Sequence, residues 1–187
     1  MATTLRYAKA ESSLGPFVAA TSDKGLVLVE FGDMTDAREI DLMTRFPEAV
    51  LVEDESGLGD VLARLAALID RPERVAEGVA DFALDLQGSD FEIKVWQALR
   101  QVRAGETTTY GEIASQLGVP RQAREVGEAC AANRLAVVVP CHRVVKKDGS
   151  ISGYRWGVRR KRTLLERESR ARSLPLFAEV AHHGPIP

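Results

Sequence analysis

The sequence predicts a two-part α/β protein. An amino-terminal sheet with a covering helix occupies residues 1–87, a mainly helical part occupies 88–170, and residues 171–187 form a tail expected to be flexible. Three observations carry that expectation. Short β-prone runs separated by turn residues dominate the first part. Helix-start signals and apolar stripes at helical spacing dominate the second. The charge divides with them: residues 1–90 hold 8 Lys/Arg against 18 Asp/Glu, net −10, whereas residues 91–170 hold 16 against 8, net +8.

In the first part, Phe17-Val18-Ala19-Ala20 and Leu26-Val27-Leu28-Val29-Glu30-Phe31 flank Ser22-Asp23-Lys24-Gly25, which is turn chemistry, so the two runs read as a hairpin. Leu58, Val61, Leu62, Leu65 and Leu68 fall at helical spacing and predict an amphipathic helix over 58–69 that covers the sheet. Residues 82–86 read as a further strand. The composition shifts at Gln87-Gly88, which marks the boundary.

Two helix starts follow. Ser89-Asp90-Phe91-Glu92 and Thr109-Tyr110-Gly111-Glu112 both fit the capping box, in which a hydroxyl and an acid three residues later cap each other's backbone. Phe91, Val95, Leu99 and Val102 make one apolar stripe, a core face. A short helix over 110–117, a break at Gly118-Val119-Pro120 and a second helix over 121–132 ending near Asn133 give helix, tight turn, helix. That arrangement serves DNA binding, or is simply two packed helices. Arg121, Arg124 and Arg134 favour the first, since arginine contacts phosphate and reads bases. Glu125 and Glu128 oppose it unless they point away or pair with Arg121 and Arg124. The basic half is in the same position, either a polyanion-binding face or a solvated surface.

Composition narrows the class. Hydrophobic residues at 45% and charged residues at 28% exclude disorder, collagen-like repeats and a coiled coil. No apolar run approaches the roughly 18 residues of a membrane span, and Met1-Ala2-Thr3-Thr4 does not open a signal peptide, so a cytoplasmic protein is expected. Cys130 and Cys141 are the two cysteines and should remain thiols there. With three histidines and no C-x-x-C or H-x-x-x-H spacing, no metal is expected.

Chemistry concentrates in Pro140-Cys141-His142-Arg143. Val137-Val138-Val139 reads as a buried strand that Pro140 ends, placing Cys141 at a strand exit. A free thiol titrates near pH 8.5, so a nucleophile needs cationic or dipolar help. His142, Arg143, Lys146 and Lys147 could supply it, with His142 as base if a carboxylate orients it. A buried structural cysteine beside a surface histidine is the alternative.

The wider context resolves this. Val139-Pro140-Cys141-His142-Arg143-Val144 resembles the active-site signature of the methylated-DNA protein-cysteine methyltransferases (O6-alkylguanine-DNA alkyltransferases), those of the Ada type above all. Leu5-Arg6-Tyr7-Ala8, Val95-Trp96-Gln97-Ala98-Leu99-Arg100, Ala129-Cys130-Ala131-Ala132-Asn133 and Ser152-Gly153-Tyr154-Arg155-Trp156-Gly157-Val158 are similar to that domain in order and spacing, over roughly residues 5–170.

The resemblance implies a ribonuclease-H-like amino-terminal sheet with a flanking helix and a helical domain carrying a DNA-binding helix-turn-helix. It implies single-turnover transfer of an alkyl group from O6-alkylguanine in double-stranded DNA to Cys141, without a cofactor, by a monomer with no obligate protein partner. Cys141 matches the acceptor, His142 the water-linked base, Glu168 the carboxylate that orients it, and Asn133 the hinge between recognition helix and active-site turn. Tyr110 matches the tyrosine that helps rotate the target nucleotide and is a candidate proton donor at N3. Arg124 matches the finger that fills the vacated stack, with Arg121, Ala123 and Arg134 as further DNA contacts. Pro140, Val144, Tyr154, Arg155 and Trp156 match the substrate pocket, the Val144 carbonyl as acceptor for the guanine amino group and Trp156 as a gate that narrows the entrance. The need for extrusion is physical, because the O6 carbon is unreachable inside a duplex.

Departures carry expectations too. The cysteine-rich zinc domain and the further regulatory domain of complete Ada-type proteins are expected to be absent, and phosphotriester repair and methylation sensing with them. Residues 1–90 hold neither cysteine nor histidine for the structural zinc of some relatives, and Glu125 and Glu128 stand where small neutral residues are common. Two rivals remain: a non-catalytic lesion binder, which would lack the acceptor, and a Cys-His hydrolase, which would need an oxyanion hole that no motif marks.

Overall fold

The computed structural model describes residues 4–72 and 81–172. Residues 173–187, with His182 and His183 and most of the expected tail, lie outside the described residues.

Strands β1 (Thr4–Ser12), β2 (Gly15–Ser22) and β3 (Gly25–Phe31) form an antiparallel meander, and β4 (Val50–Glu53) joins β1 in parallel, for the order β3-β2-β1-β4. The predicted hairpin is β2-β3. Gly25 is obligatory at its turn: its φ is +140°, and a Cβ there would sit 2.3 Å from the Ala83 carbonyl oxygen. Phe17 and Ala19 face one cluster, Val18 and Ala20 the other, so both faces of the sheet are covered. This explains why β2 and β3 read as continuous apolar runs without a polar face.

Helix α1 (Asp36–Arg45), capped by Thr35, buries Leu42 on one face of the sheet. Helix α2 (Glu55–Asp70), capped by Asp54, covers the other with Leu58, Leu62, Leu65, Leu68 and Ile69, as its spacing predicted. The strand expected over 82–86 contracts to one bridge, Leu26 with Leu84. The outer edge of β3 is shared: Leu26 bonds Ala83 and Asp85, then Val29 bonds Arg134 and Ala136, and neither partner gets enough of the edge to form a strand.

Beyond residue 87 come α3 (Asp90–Gln101), α4 (Tyr110–Gln116), α5 (Ala123–Ala132) and α6 (Val158–Arg172), with a two-residue parallel pair of β5 (Thr108–Thr109) and β6 (Val144–Val145). Both predicted capping boxes form, Ser89 with Glu92 on α3 and Thr109 with Glu112 on α4. The strand expected at 137–139 does not. The Val138 amide bonds back to Ala136 and the Val139 amide to Leu135, and Val137 adopts φ 67°, strained for a β-branched residue. These valines are apolar because the turn is buried, and a short apolar run does not distinguish the two. The larger core cluster draws on both sides of residue 87, from Phe17 and Leu65 to Leu99 and Leu164. Among the described residues, no helix is long and apolar enough to cross a membrane.

Candidate functional site

Cys141 opens a 3-10 turn, Cys141–Arg143, just after the buried valine turn. Asn133, at the end of α5, fastens helix to turn: its Nδ2 donates to the Val139 carbonyl (3.0 Å) and to Cys141 Sγ (3.2 Å), and its Oδ1 accepts from the Leu135 amide. Burial pushes the Cys141 thiol up to about 11, against the pull of the Asn133 hydrogen bond and the Lys161 ammonium.

The next two residues enter a buried charge cluster. His142 Nε2 lies 2.9 Å from Glu168 Oε1, and Arg143 binds both oxygens of the same carboxylate through Nε (3.0 Å) and a terminal nitrogen (2.8 Å). Burial alone would raise the Glu168 carboxyl, but the His142 and Arg143 contacts hold it down at about 2, so it is ionised. Burial lowers the His142 pKa, which keeps the ring neutral at pH 7. An ionised carboxylate accepts, so Nε2 carries the ring proton and Nδ1 is left as a bare acceptor, buried and with no protein partner. Arg143 is spent on Glu168 and the Val102 carbonyl, and Lys146 and Lys147 are exposed, so the cationic help expected from these three does not reach the thiol.

Lys161 supplies it instead. Lys161, Leu164, Glu168 and Ala171 form the buried stripe of α6. The fully buried Lys161 Nζ donates to the Val144 carbonyl (2.6 Å) and Ser152 Oγ (2.7 Å). Sequence reasoning missed it. Lysines at positions apolar by helical period are the available signal, and one charge in so basic a helix does not stand out.

Tyr110, Gly127, Cys130, Ala131, Cys141, Gly153, Tyr154 and Arg155 line a cavity of about 390 Å³. Tyr110 donates to Ser152 Oγ (2.9 Å), and burial raises its pKa. Three pocket expectations need correction. The Val144 carbonyl already accepts from Lys161 and Ser152, so both lone pairs are engaged. Pro140 lines a different cavity, with Val138 and Arg143. Trp156 lines a third, with Glu30 and Arg134, and packs edge-to-face on Tyr154 at 5.1 Å; it braces the cavity wall rather than gating it.

On the outside, α4 and α5 pack together across their turn. Arg121 is exposed at the turn, Ala123 begins α5, and the Arg124 side chain is 90% exposed, bonded to Glu128 one turn on (3.1 Å). Arg134 differs from expectation. It pairs with Glu30 (3.2 Å) and Asp41 (3.1 Å), so its guanidinium is engaged within the protein.

Fold and site together define an α/β protein whose cavity-lining cysteine is tethered by an asparagine and followed by a buried His-Glu-Arg cluster. The model of the 6-O-methylguanine DNA methyltransferase DNA binding domain matches residues 90–170, and the chain belongs to this family. Mycobacterium tuberculosis OGT, solved in complex with DNA, is 34% identical with a TM-score of 0.70, over 90% of this chain and 94% of that one. The regulatory protein ada of Salmonella typhimurium is 40% identical over 89% of this chain and 46% of that protein. A methylated-DNA--protein-cysteine methyltransferase of Mycolicibacterium paratuberculosis is 52% identical over 52% of this chain and 60% of its own length. The chain spans about half the length of the curated relatives it matches.

Proposed function

We propose that the protein repairs DNA by direct reversal, accepting the alkyl group of O6-alkylguanine on Cys141 Sγ, once per molecule and irreversibly. The observation that carries this is the placement of Cys141 Sγ on a cavity of ligand size, bonded to Asn133 and adjacent in the chain to a histidine oriented by an ionised carboxylate.

In the proposed reaction, His142 Nδ1 takes the Cys141 proton through a water, and the Glu168 carboxylate, held in place by Arg143, stabilises the imidazolium. The thiolate attacks the alkyl carbon in line with its bond to O6. A C–S bond forms, the C–O bond breaks, and guanine leaves as an anion that Tyr110 protonates on the N3 side. Lys161 offsets the thiolate charge before transfer. Tyr154 and the backbone of Arg155 close over the extruded base, while Trp156 supports them. Arg124 leaves Glu128 to fill the vacated stack, and Arg121 and Ala123 approach the backbone of double-stranded DNA.

The α4-turn-α5 unit acts as the DNA-binding helix-turn-helix, and the sheet with its helices is a reduced ribonuclease-H-like fold, giving functional halves at 1–87 and 88–170. The protein works as a monomer without a cofactor, in the cytoplasm, where a reducing medium keeps Cys141 and Cys130 as thiols.

Mass spectrometry after incubation with O6-methylguanine duplex DNA tests this. A single methyl on Cys141 is the expected result. No adduct would leave a lesion-binding protein, and released product without adduct a hydrolase.

A further inference from the structure

We infer that Glu30, a buried carboxylate on β3, is a positioning residue that sets the width and alkyl selectivity of the Cys141 cavity by clamping Arg155 from outside it. The inference rests on the alkyl transfer proposed above.

Glu30 takes no part in that chemistry, yet it is 4% exposed, and a buried carboxylate persists only with full compensation. Three guanidinium groups provide it. Arg38 Nε donates to Oε2 at 2.9 Å, while Arg134 (3.2 Å) and Arg155 (3.5 Å) meet Oε1. They come from three separate places: the first turn of α1, the residue after Asn133, and the loop between β6 and α6. Glu30 is thus a common side-chain anchor of three segments, of which only the one carrying Arg134 is also held by backbone bonds to β3.

Two of those segments shape the cavity. Arg155 lines it, and its guanidinium also donates to the Ala131 carbonyl (3.2 Å) at the end of α5, another lining residue. One side chain therefore reaches from Glu30 to the last turn of α5 and ties the loop to the helix. Tyr110 and Lys161 hold the start of the loop at Ser152, but residues 153–157 beyond it form no regular element, and a Cβ at Gly153 would meet nothing within 4 Å. Arg134 adds a second reference: its ion pair fixes the residue beside Asn133, whose Nδ2 holds Cys141 Sγ. Cavity wall and nucleophile are registered to one carboxylate, which is how a group outside a site preorganises it.

Releasing the clamp lets the loop move outward, so a bulky alkyl group gains relative to methyl. The test measures transfer rates from O6-methylguanine and O6-benzylguanine in identical duplexes for wild type, Glu30→Gln, Arg155→Ala and the double variant. Glu30→Gln is expected to raise the benzyl-to-methyl rate ratio about tenfold, well within what an ångström-scale misplacement does to rates. Because Glu30 acts on the loop through Arg155, the double variant should change the benzyl-to-methyl ratio no more than Arg155→Ala does alone, while loss of the Arg134 contact, which bears on the nucleophile common to both substrates, should slow both transfers alike. Glu30→Asp should restore part of the selectivity. A folded Glu30→Gln with the wild-type ratio, or single effects that multiply in the double variant, would overturn the clamp. Should Glu30→Gln fail to fold, Arg155→Ala decides: an unchanged ratio overturns it equally. Wild-type protein that forms no Cys141 adduct overturns the proposed function and this inference with it, whereas adduct with unchanged ratios overturns this inference alone.

Discussion

Replacing Glu168 by glutamine removes the charge at the centre of the buried cluster, and its cost is set by the ionisation that the fold imposes. The carboxyl falls from 4.5 to about 2 on folding. At about 1.4 kcal/mol per pH unit, that makes the ionised form worth about 3 kcal/mol to stability. Because the folded pKa is depressed, this contribution is present above pH 4.5 and is lost as the pH falls from about 5 toward 2. His142, held neutral by burial, adds an earlier loss that begins as the pH drops below 6.5. In Glu168→Gln the Arg143 guanidinium stays buried without a counter-charge, a penalty of the same order, about 3–5 kcal/mol. For a chain of this size the melting temperature at pH 7 should fall by about 6–12 °C or somewhat more. Urea unfolding of both proteins from pH 8 to pH 3 is the assay. The stability gap should be widest above pH 5 and narrow steadily below it, as the wild type loses the same ionised group. A gap that stays constant from pH 7 to pH 3 would refute the depressed carboxyl and the charge cluster built on it.

Cys141→Ala should abolish methyl transfer yet keep binding to lesion DNA in a mobility-shift assay; transfer by this variant would remove the central claim. Arg124→Ala should cost repair in duplex DNA far more than reaction with free O6-methylguanine base, since an exposed side chain can stabilise an opened helix but not the transferring carbon. Equal losses on both substrates would contradict that role. Lys161→Met should cost about 1–3 kcal/mol of stability, because the buried Val144 carbonyl and Ser152 hydroxyl each lose a donor. Its pH–rate profile should move upward, slowing transfer at pH 7–9 about tenfold per unit of the move. An unmoved profile would show that Lys161 only holds the loop.

What was legible in the sequence was local. The capping boxes at Ser89 and Thr109, the β2-β3 turn and the stripe of α2 depend on residues a few positions apart, and each formed as expected. The strands β1 and β4 and helix α1 escaped notice: β1 interleaves Arg6, Lys9 and Glu11 with its apolar residues, and β4 is a four-residue edge. At the site, the Cys141-His142 adjacency was visible by inspection. The part played by Glu168, 26 residues from His142, came only through resemblance.

The sequence by itself determined which residues are apolar enough to be buried, where helices begin, and which thiol stands beside a histidine. Only the tertiary structure decided partners. It turned the valine run into a left-handed turn, spent Arg143 and Arg134 on internal carboxylates, occupied the Val144 carbonyl, moved Trp156 behind the cavity wall and put the buried Lys161 ammonium within electrostatic reach of Cys141. The reason is that periodicity records burial along one element, whereas a buried polar group must be satisfied by whichever chain crosses it, and that crossing is a property of the whole fold.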